Sequence, residues 1–257
     1  MPVLVNYGGN YSYLSEFGVT EKKGDAIRID EKEIEEIVYR AGKFSVYSVE
    51  DQLKRGFLTA EYGERIGIAG EWVFQNGSPI TLRNISSLCI RVPHEIQDCG
   101  EEIYDCCFKD GIVNILICSS PGIGKTTILR DIAKKISENT RLNLLICDER
   151  GEISSLYENG NWDALLFADK QTAFTSGIRA LRPDVLVTDE LSLEDCKAVE
   201  KAVRSGVKVI ASAHFINEKA IQSPFLGLFD YYVFLDRREI GRINGIYDAH
   251  LKKVCLT

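Results

Sequence analysis

The chain has 257 residues, of which 45% are hydrophobic and 27% are charged, so it can bury a sizeable core in one large domain or two modest ones. Its formal net charge of −7 argues against a general nucleic-acid binder, because phosphate binding needs clustered lysine and arginine. No apolar run approaches the roughly 20 residues of a membrane helix, and the amino terminus lacks the basic start and apolar stretch of a signal peptide.

Eight cysteines are spread along the chain without the C-x-x-C spacing of a zinc site. Cys118 and Cys147 lie in apolar runs, where cysteine acts as a small buried hydrophobic residue. Free thiols suit a reducing cytoplasm. We therefore expect unpaired cysteines and a cytoplasmic protein. If it works with a membrane complex, we expect it to bind that complex peripherally.

Two helices are predicted near the start of the chain. The first carries an apolar stripe at helical spacing, formed by Ile34, Ile37 and Val38. The second is predicted from "SVEDQLKRG", with Ser48 as N-cap and Gly56 just past its end.

A β-hairpin is predicted next, from strands at 64–74 and 78–92 joined at Asn76-Gly77. Residues 94–111 are predicted to form a connecting helix or a pair of turns. The region 1–105 is therefore predicted to be a small α+β domain.

From about residue 110, short apolar strands alternate with amphipathic helices. Such alternation predicts βαβ units and a mostly parallel sheet with helices on both faces. We assign residues 106–257 to this α/β domain. The predicted strands and helices are, in order, 112–118 (strand), 126–138 (helix), 142–147 (strand), 184–190 (strand), 193–206 (helix), 207–214 (strand) and 231–236 (strand).

The segment "SSPGIGKT" between the first strand and helix of this domain resembles a phosphate-binding loop, G-x-x-x-x-G-K-[ST], with Ser119 in the place of the first glycine. In such a loop, backbone N–H groups and a helix N-terminus face an anion. Lys125 would bind the β and γ phosphates of ATP, Thr126 would bind Mg²⁺, and Thr127 would support the α phosphate. The predicted nucleotide-binding residues are Ser119, Ser120, Pro121, Gly122, Ile123, Gly124, Lys125, Thr126 and Thr127.

Two features leave alternatives open at this loop. Glycine-rich turns between strands and helices also occur without ligands. Serine in place of the first glycine would weaken the loop only where the backbone needs a positive φ. We expect a modified but working loop.

Asp189 and Glu190 end the apolar strand "VLVTDE". A phosphate loop needs a carboxylate for the metal and a group that activates water. Asp189 is the candidate Mg²⁺ residue and Glu190 the candidate base. The alternative is a polar pair that simply ends a buried strand.

A second acidic cluster, Asp148 and Glu149, follows the strand "LNLLIC". Ligands bind outside the carboxyl ends of parallel strands, so Glu149 is a second candidate base, with a solvated loop as the alternative. His214 ends another strand; it is a candidate γ-phosphate sensor or a hydrogen-bonded structural residue.

Arg179 and Arg182 precede the strand that carries Asp189. An arginine at a subunit boundary can stabilise transition-state charge in a neighbouring subunit. The alternative is an ordinary surface helix, and Arg150 is a third candidate.

The motifs "SSPGIGKTTILRDIAKKIS", "CDERGEIS", "IRALRPDVLVTDE" and "ASAHF", in this order, resemble the stage III sporulation protein AA family of endospore-forming bacteria. The resemblance covers roughly residues 45 to 250, and it departs from the family where Ser119 and Ser120 replace the Gly-Pro of its loop. More broadly, "ALRPDVLVTDE…ASAH" is similar to secretion and type IV pilus ATPases, which have an acidic box and a histidine box beside the nucleotide.

The resemblance implies a RecA-like P-loop ATPase core that uses ATP and Mg²⁺. It implies a cytoplasmic protein of the mother cell, docked on membrane-bound proteins of the sporulation channel, and a homo-oligomeric ring, usually a hexamer. It also favours Glu149 and His214 as site residues. The predicted function is a motor or assembly ATPase of that channel. The alternatives are a nucleotide-gated scaffold with negligible hydrolysis, which the Ser119 replacement would favour, and a DNA-processing ATPase, which the net charge disfavours.

Overall fold

A computed structural model gives the fold and describes residues 1–7, 10–42, 52–54, 56–60, 64–92, 96–154, 160–221 and 223–255. The chain divides into two compact units, Met1–Val92 and Pro93–Thr257. The boundary that the sequence suggested, after residue 105, lies within a helix of the second unit, Glu101–Cys107.

The first unit contains two three-stranded antiparallel sheets, with strand orders β1-β2-β3 and β4-β5-β6. This arrangement confirms the predicted α+β character of the amino-terminal region. Its described elements are β1 (Leu4–Tyr7), β2 (Asn10–Ser15), β3 (Gly18–Thr20), α1 (Glu31–Ala41), β4 (Phe57–Thr59), β5 (Arg65–Gln75) and β6 (Ser78–Arg91).

Local sequence signals explain α1 and the long hairpin. Asp30 and Glu33 form a reciprocal capping box that begins α1. Asn76 and Gly77 have φ of +51° and +79°, as the two-residue turn between β5 and β6 requires. The predicted hairpin is therefore confirmed.

Two parts of the amino-terminal prediction need comment. The sheet β1-β2-β3 was not predicted, because its short strands are rich in polar and tyrosine residues and lack a regular apolar alternation. Most of the helix predicted at 48–55 lies outside the described residues.

The second unit is built on an eight-stranded sheet with the order β14-β13-β12-β7-β11-β10-β8-β9. The strands from β12 to β9 in this order pair in parallel, and β13 and β14 add an antiparallel edge. The strands are β7 (Ile115–Cys118), β8 (Leu144–Asp148), β9 (Asp163–Leu166), β10 (Val185–Leu191), β11 (Lys208–Ala213), β12 (Tyr231–Leu235), β13 (Ile243–Asp248) and β14 (Lys253–Cys255).

Helices cover both faces of this sheet, as the alternating pattern predicted. They are α2 (Glu101–Cys107), α3 (Lys125–Asn139), α4 (Lys170–Leu181) and α5 (Cys196–Arg204). Ile115 and Ile117 of β7 pack in the core that contains α3, whereas Leu116 and Cys118 pack in the core that contains α4 and α5. Burial on both faces explains why the central strands are continuous apolar runs.

Several elements differ from the sequence prediction. The connecting helix is only α2, and residues 193–195 form a short 3₁₀ turn ahead of α5. The strands β9, β13 and β14 and the helix α4 were not predicted as members of the α/β unit. β13 and β14 pair in an antiparallel way at one side of the sheet, so they do not show the βαβ alternation that identified the central strands.

Most cysteines in the described part of the chain agree with the expectation of free thiols. Six are free: Cys89, Cys99, Cys107, Cys118, Cys147 and Cys196. Cys106 is disulfide-bonded, which corrects the expectation for that residue.

Candidate functional site

The predicted phosphate loop lies between β7 and α3, at the carboxyl edge of the parallel sheet. Gly122 and Gly124 have φ of +77° and +98°, which glycine adopts without strain. Ser119, in contrast, is not among the residues with positive φ. It is buried, its N–H donates to Ala213 O at 3.3 Å, and its hydroxyl donates to Ser120 O at 2.9 Å. Serine therefore fits the first position of the loop without backbone strain.

Lys125 is the first residue of α3, and its side chain is folded against the loop with only 5% of the residue exposed. Its Nζ donates to Ser119 O at 3.1 Å and to Ser120 O at 3.0 Å. Burial lowers the pKa of Lys125, while the nearby Glu190 opposes this effect. An anion entering the loop would offer this ammonium a stronger partner than two carbonyl oxygens.

His214 and Glu190 extend the contacts of Lys125 toward the acidic strand end. His214 Nδ1 lies 3.1 Å from Lys125 Nζ, and His214 Nε2 lies 3.7 Å from Glu190 Oε1. Glu190 Oε2 is 2.6 Å from Arg150 Nη2. The structure thus brings together three predicted site residues, Lys125, His214 and Glu190, and adds Arg150 from the same chain.

The backbone at Glu190 is unusual and aims its side chain. Glu190 has φ of +44°, at a register shift between β10 and β11, and its N–H donates to Ser212 Oγ at 3.0 Å. Positive φ at a non-glycine residue costs free energy and often marks a functional position. This strain supports a role for Glu190 beyond ending a strand.

Asp189 is 1% exposed, and its Oδ2 has no hydrogen-bond partner among the described residues. Burial, followed by the nearby Asp148, raises the pKa of Asp189 to about 7. A buried carboxylate oxygen without a partner suits a cation, and hard cations such as Mg²⁺ prefer oxygen ligands. The predicted Mg²⁺ residues, Asp189 and the half-buried Thr126 in the first turn of α3, are therefore chemically suited to the ion. Among the described residues, no group of three or more His, Cys, Asp and Glu forms a protein-only metal site.

The two residues of the second acidic cluster, Asp148 and Glu149, make different contacts. Asp148 accepts hydrogen bonds from Glu152 N, Ile153 N and Ser154 N at 2.8–2.9 Å, so it holds its own loop in shape. Glu149 is paired with the buried Lys170 at 3.0 Å. Lys170 was missed by sequence reasoning because nothing in its local sequence sets it apart from a solvated lysine.

Arg179 and Arg182 lie away from the phosphate loop of their own chain. Helix α4 begins near Glu149 at the carboxyl edge of the sheet and ends at the opposite edge, where Asn143 Nδ2 donates to Leu181 O at 2.8 Å. Both arginines are exposed at this far end. The two arginines therefore lie at the other end of the helix from the acidic cluster of the same chain.

The turn between β12 and β13, residues 236–242, was also missed. Gly241 N donates to Ile123 O at 3.0 Å, so this turn packs directly on the phosphate loop. The signal was available in principle, because the turn follows the carboxyl end of a strand next to β7.

Comparison with known proteins identifies the family. Residues 14–254 match the sequence profile of the family described as Sporulation stage III, protein AA. This chain belongs to that family. It is 32% identical over 233 residues to Stage III sporulation protein AA of Bacillus subtilis (strain 168), across 82% of this chain and 76% of that protein. It is 25% identical over 152 residues to Protein SEEDLING PLASTID DEVELOPMENT 1 of Arabidopsis thaliana, across 55% of this chain and 22% of that protein.

Solved structures confirm the fold class. The pilus retraction motor PilT with bound ADP has a TM-score of 0.59 and 13% identity, covering 91% of this chain and 73% of PilT. The ATPase DotB of Legionella pneumophila has a TM-score of 0.56 and 13% identity, covering 99% of this chain and 72% of DotB. The sporulation family member therefore has the RecA-like fold of these proteins, with a small α+β region before it in the chain. Within the described part of the chain, no helix has both the length and the apolar character needed to cross a membrane.

Proposed function

We propose that this sporulation protein binds and hydrolyses ATP, and that it acts as the motor or assembly ATPase of a sporulation channel complex. The observation that carries the proposal is Lys125, a buried ammonium on the phosphate loop, linked through His214 to the strained Glu190. A buried cation held mainly by carbonyl oxygens is ready to exchange them for phosphate oxygens.

Each residue has a proposed task in hydrolysis. The loop from Ser119 to Thr127 surrounds the phosphates, and Lys125 binds the β and γ phosphates. Thr126 and Asp189 would hold Mg²⁺, which would neutralise phosphate charge. Glu190 orients the attacking water and accepts its proton. His214, which lies 3.7 Å from Glu190, contacts the γ phosphate and couples its presence to the position of Glu190.

The cellular role rests on family membership and on fold similarity. The family is named for sporulation, and one structural relative is named as a pilus retraction motor. We propose a ring of identical subunits, a hexamer, in the mother-cell cytoplasm, docked on membrane-bound channel proteins. The net charge of −7 gives no support for nucleic acid as the partner.

The first test compares nucleotide binding and phosphate release by the wild type and Lys125→Ala. The variant is expected to lose tight binding of Mg-ATP, because the loop loses the ammonium that would bind the phosphates. It is expected to remain folded, because the apolar side chains that pack α3 against the sheet are unchanged. Lys109→Ala removes an exposed lysine outside the site and serves as the matched control. Unchanged ATP affinity in Lys125→Ala would show that the loop is not the nucleotide site.

A nucleotide-gated scaffold is the second candidate, and one contact favours it. Arg150 holds the Glu190 carboxylate at 2.6 Å, and a base held by an arginine is less available to activate water. A scaffold would bind ATP and assemble without steady-state phosphate release. Measuring particle mass and phosphate release together, with and without Mg-ATP, separates the two functions.

A further inference from the structure

The turn of residues 236–242 contacts the phosphate loop through its last part. Gly241 N donates to Ile123 O, and a Cβ on Gly124 would lie 3.4 Å from Gly241 N and 3.6 Å from Ile240 Cγ2. Ile240 therefore lies beside the glycine that begins α3.

Hydrogen bonds and an ion pair hold the 236–242 turn in shape, yet the turn exposes an apolar side chain. Asp236 Oδ1 accepts hydrogen bonds from Arg238 N at 2.7 Å and from Glu239 N at 3.1 Å, and Arg242 pairs with Glu239 at 2.7 Å. Ile240 nevertheless is 72% exposed. A large aliphatic group held in an ordered turn beside an anion site is suited to covering an apolar part of the ligand.

Strand order decides which part of a nucleotide would reach this turn. Glu190 lies near the end of β10, and His214 follows β11. Both strands lie on one side of β7, whereas β12 lies on the other side. A γ phosphate that faces Glu190 and His214 leaves the nucleoside pointing the opposite way, because the chain of phosphates separates the two ends. The nucleoside end therefore extends toward the turn after β12.

We infer that Ile240 contacts the base of the bound nucleoside triphosphate, and that the 236–242 turn forms one wall of the base site. The inference rests on the proposed nucleotide-binding function and adds to it a residue that recognises the base. An aliphatic side chain can cover the flat face of a heteroaromatic ring, and burying both surfaces stabilises the complex. A purine offers Ile240 more surface than a pyrimidine does.

The test compares two ligands that share a triphosphate but differ in the nucleoside. Calorimetric titration with ATP and with inorganic tripolyphosphate, both with Mg²⁺, is carried out on the wild type, Ile240→Ala and Ile240→Leu. Ile240→Ala is expected to weaken ATP about tenfold, which corresponds to 1.4 kcal/mol, and to leave tripolyphosphate affinity unchanged. Ile240→Leu, of equal volume, is expected to retain ATP affinity within about threefold.

Leu226→Ala is the matched control. Leu226 is an exposed aliphatic residue in the turn before β12, at the opposite end of that strand from the 236–242 turn. Equal ATP affinity in the wild type and Ile240→Ala overturns the inference while leaving the nucleotide site intact. Equal weakening of ATP and tripolyphosphate also overturns it, because Ile240 would then act on the shape of the loop. A wild type that binds neither ligand defeats the proposed function itself.

Discussion

At the scale of single residues, the environments of two glutamates lead us to propose Glu190, rather than Glu149, as the base. Glu190 contacts Arg150 and lies near His214, which contacts Lys125 of the phosphate loop. Glu149 instead pairs with the buried Lys170. Removing the carboxylate charge of Glu149 would therefore leave a buried cation without its partner, which is a structural effect as much as a catalytic one.

We expect Glu190→Gln to keep ATP binding and to reduce turnover about 100-fold or more, because the water loses the group that accepts its proton. Glu149→Gln is expected to retain more turnover. Single-turnover phosphate release and ATP titration measure the two effects separately. Turnover that survives Glu190→Gln but is lost in Glu149→Gln would make Glu149 the base, and loss in both would mean that the two acidic residues share the task.

We expect Asp189 to make the stability of the protein depend on pH when Mg²⁺ is absent. Burial raises its pKa from 3.8 to about 7, so ionisation is costly in the folded state. A carboxyl group with a raised folded-state pKa contributes stability that is complete below the unfolded pKa and is lost as pH rises through the folded pKa. Without Mg²⁺, this group should lower the free energy of unfolding by about 2 kcal/mol between about pH 5.5 and about pH 8.

The measurement is urea unfolding of the wild type and Asp189→Asn at both pH values, without Mg²⁺. Asp189→Asn should remove this decrease in stability, because the amide does not ionise. Asp105→Asn, at an exposed aspartate of α2, should preserve it. The same decrease in Asp189→Asn and the wild type would assign it to other groups.

At the scale of elements, the position of α3 depends on a close approach by the chain before α2. Gly100 N and Asp98 N donate to the Asp131 carboxylate of α3 at 2.8 and 3.1 Å. A Cβ on Gly100 would lie 2.8 Å from Ile132 Cγ1. Since Ile132 is fully buried, its side chain cannot move aside to make room for a Cβ on Gly100.

Gly100→Ala is therefore expected to lower the free energy of unfolding by about 1–3 kcal/mol through overpacking. Gly24→Ala is the control, because a Cβ there meets no atom within 4 Å. Chemical denaturation of both variants gives the comparison. A Gly100→Ala protein as stable as the control would show that α3 shifts more easily than its packing indicates.

At the scale of the whole molecule, we propose that the exposed arginines act across a boundary between subunits. Arg179 and Arg182 lie at the other end of α4 from the acidic cluster of their own chain. In a closed ring with one repeated interface, such a surface can face the loop of the neighbouring subunit. Arginine suits this task because its planar guanidinium binds phosphate oxygens in a fixed geometry.

Mixing two inactive variants tests the shared site. Lys125→Ala subunits retain their arginines, and a variant with both Arg179→Ala and Arg182→Ala retains its loop. Mixed oligomers are expected to hydrolyse ATP faster than either variant alone, because one subunit supplies the loop and the other the cation. If mixed oligomers form, as shown by mass measurement, and activity does not rise above that of the arginine variant, each site is complete within one chain.

The sequence by itself determined the parts that depend on local pattern. Alternating apolar strands and amphipathic helices identified the parallel sheet, Asn76-Gly77 identified the hairpin, and "SSPGIGKT" identified the loop, because each signal lies within a few consecutive residues. The candidate residues Asp189 and Glu190 were found for the same reason, since they end a buried strand.

Only the tertiary structure decided how these candidates are arranged, because the deciding contacts join residues far apart in the chain. The pairing of Lys125 with His214 and the packing of Gly241 on the phosphate loop depend on the strand order 12-7-11-10, which no local pattern encodes. The absence of strain at Ser119 depends on a backbone dihedral angle set by its surroundings. Tertiary contacts, rather than residue type, therefore separate the catalytic candidates from the residues that hold the fold.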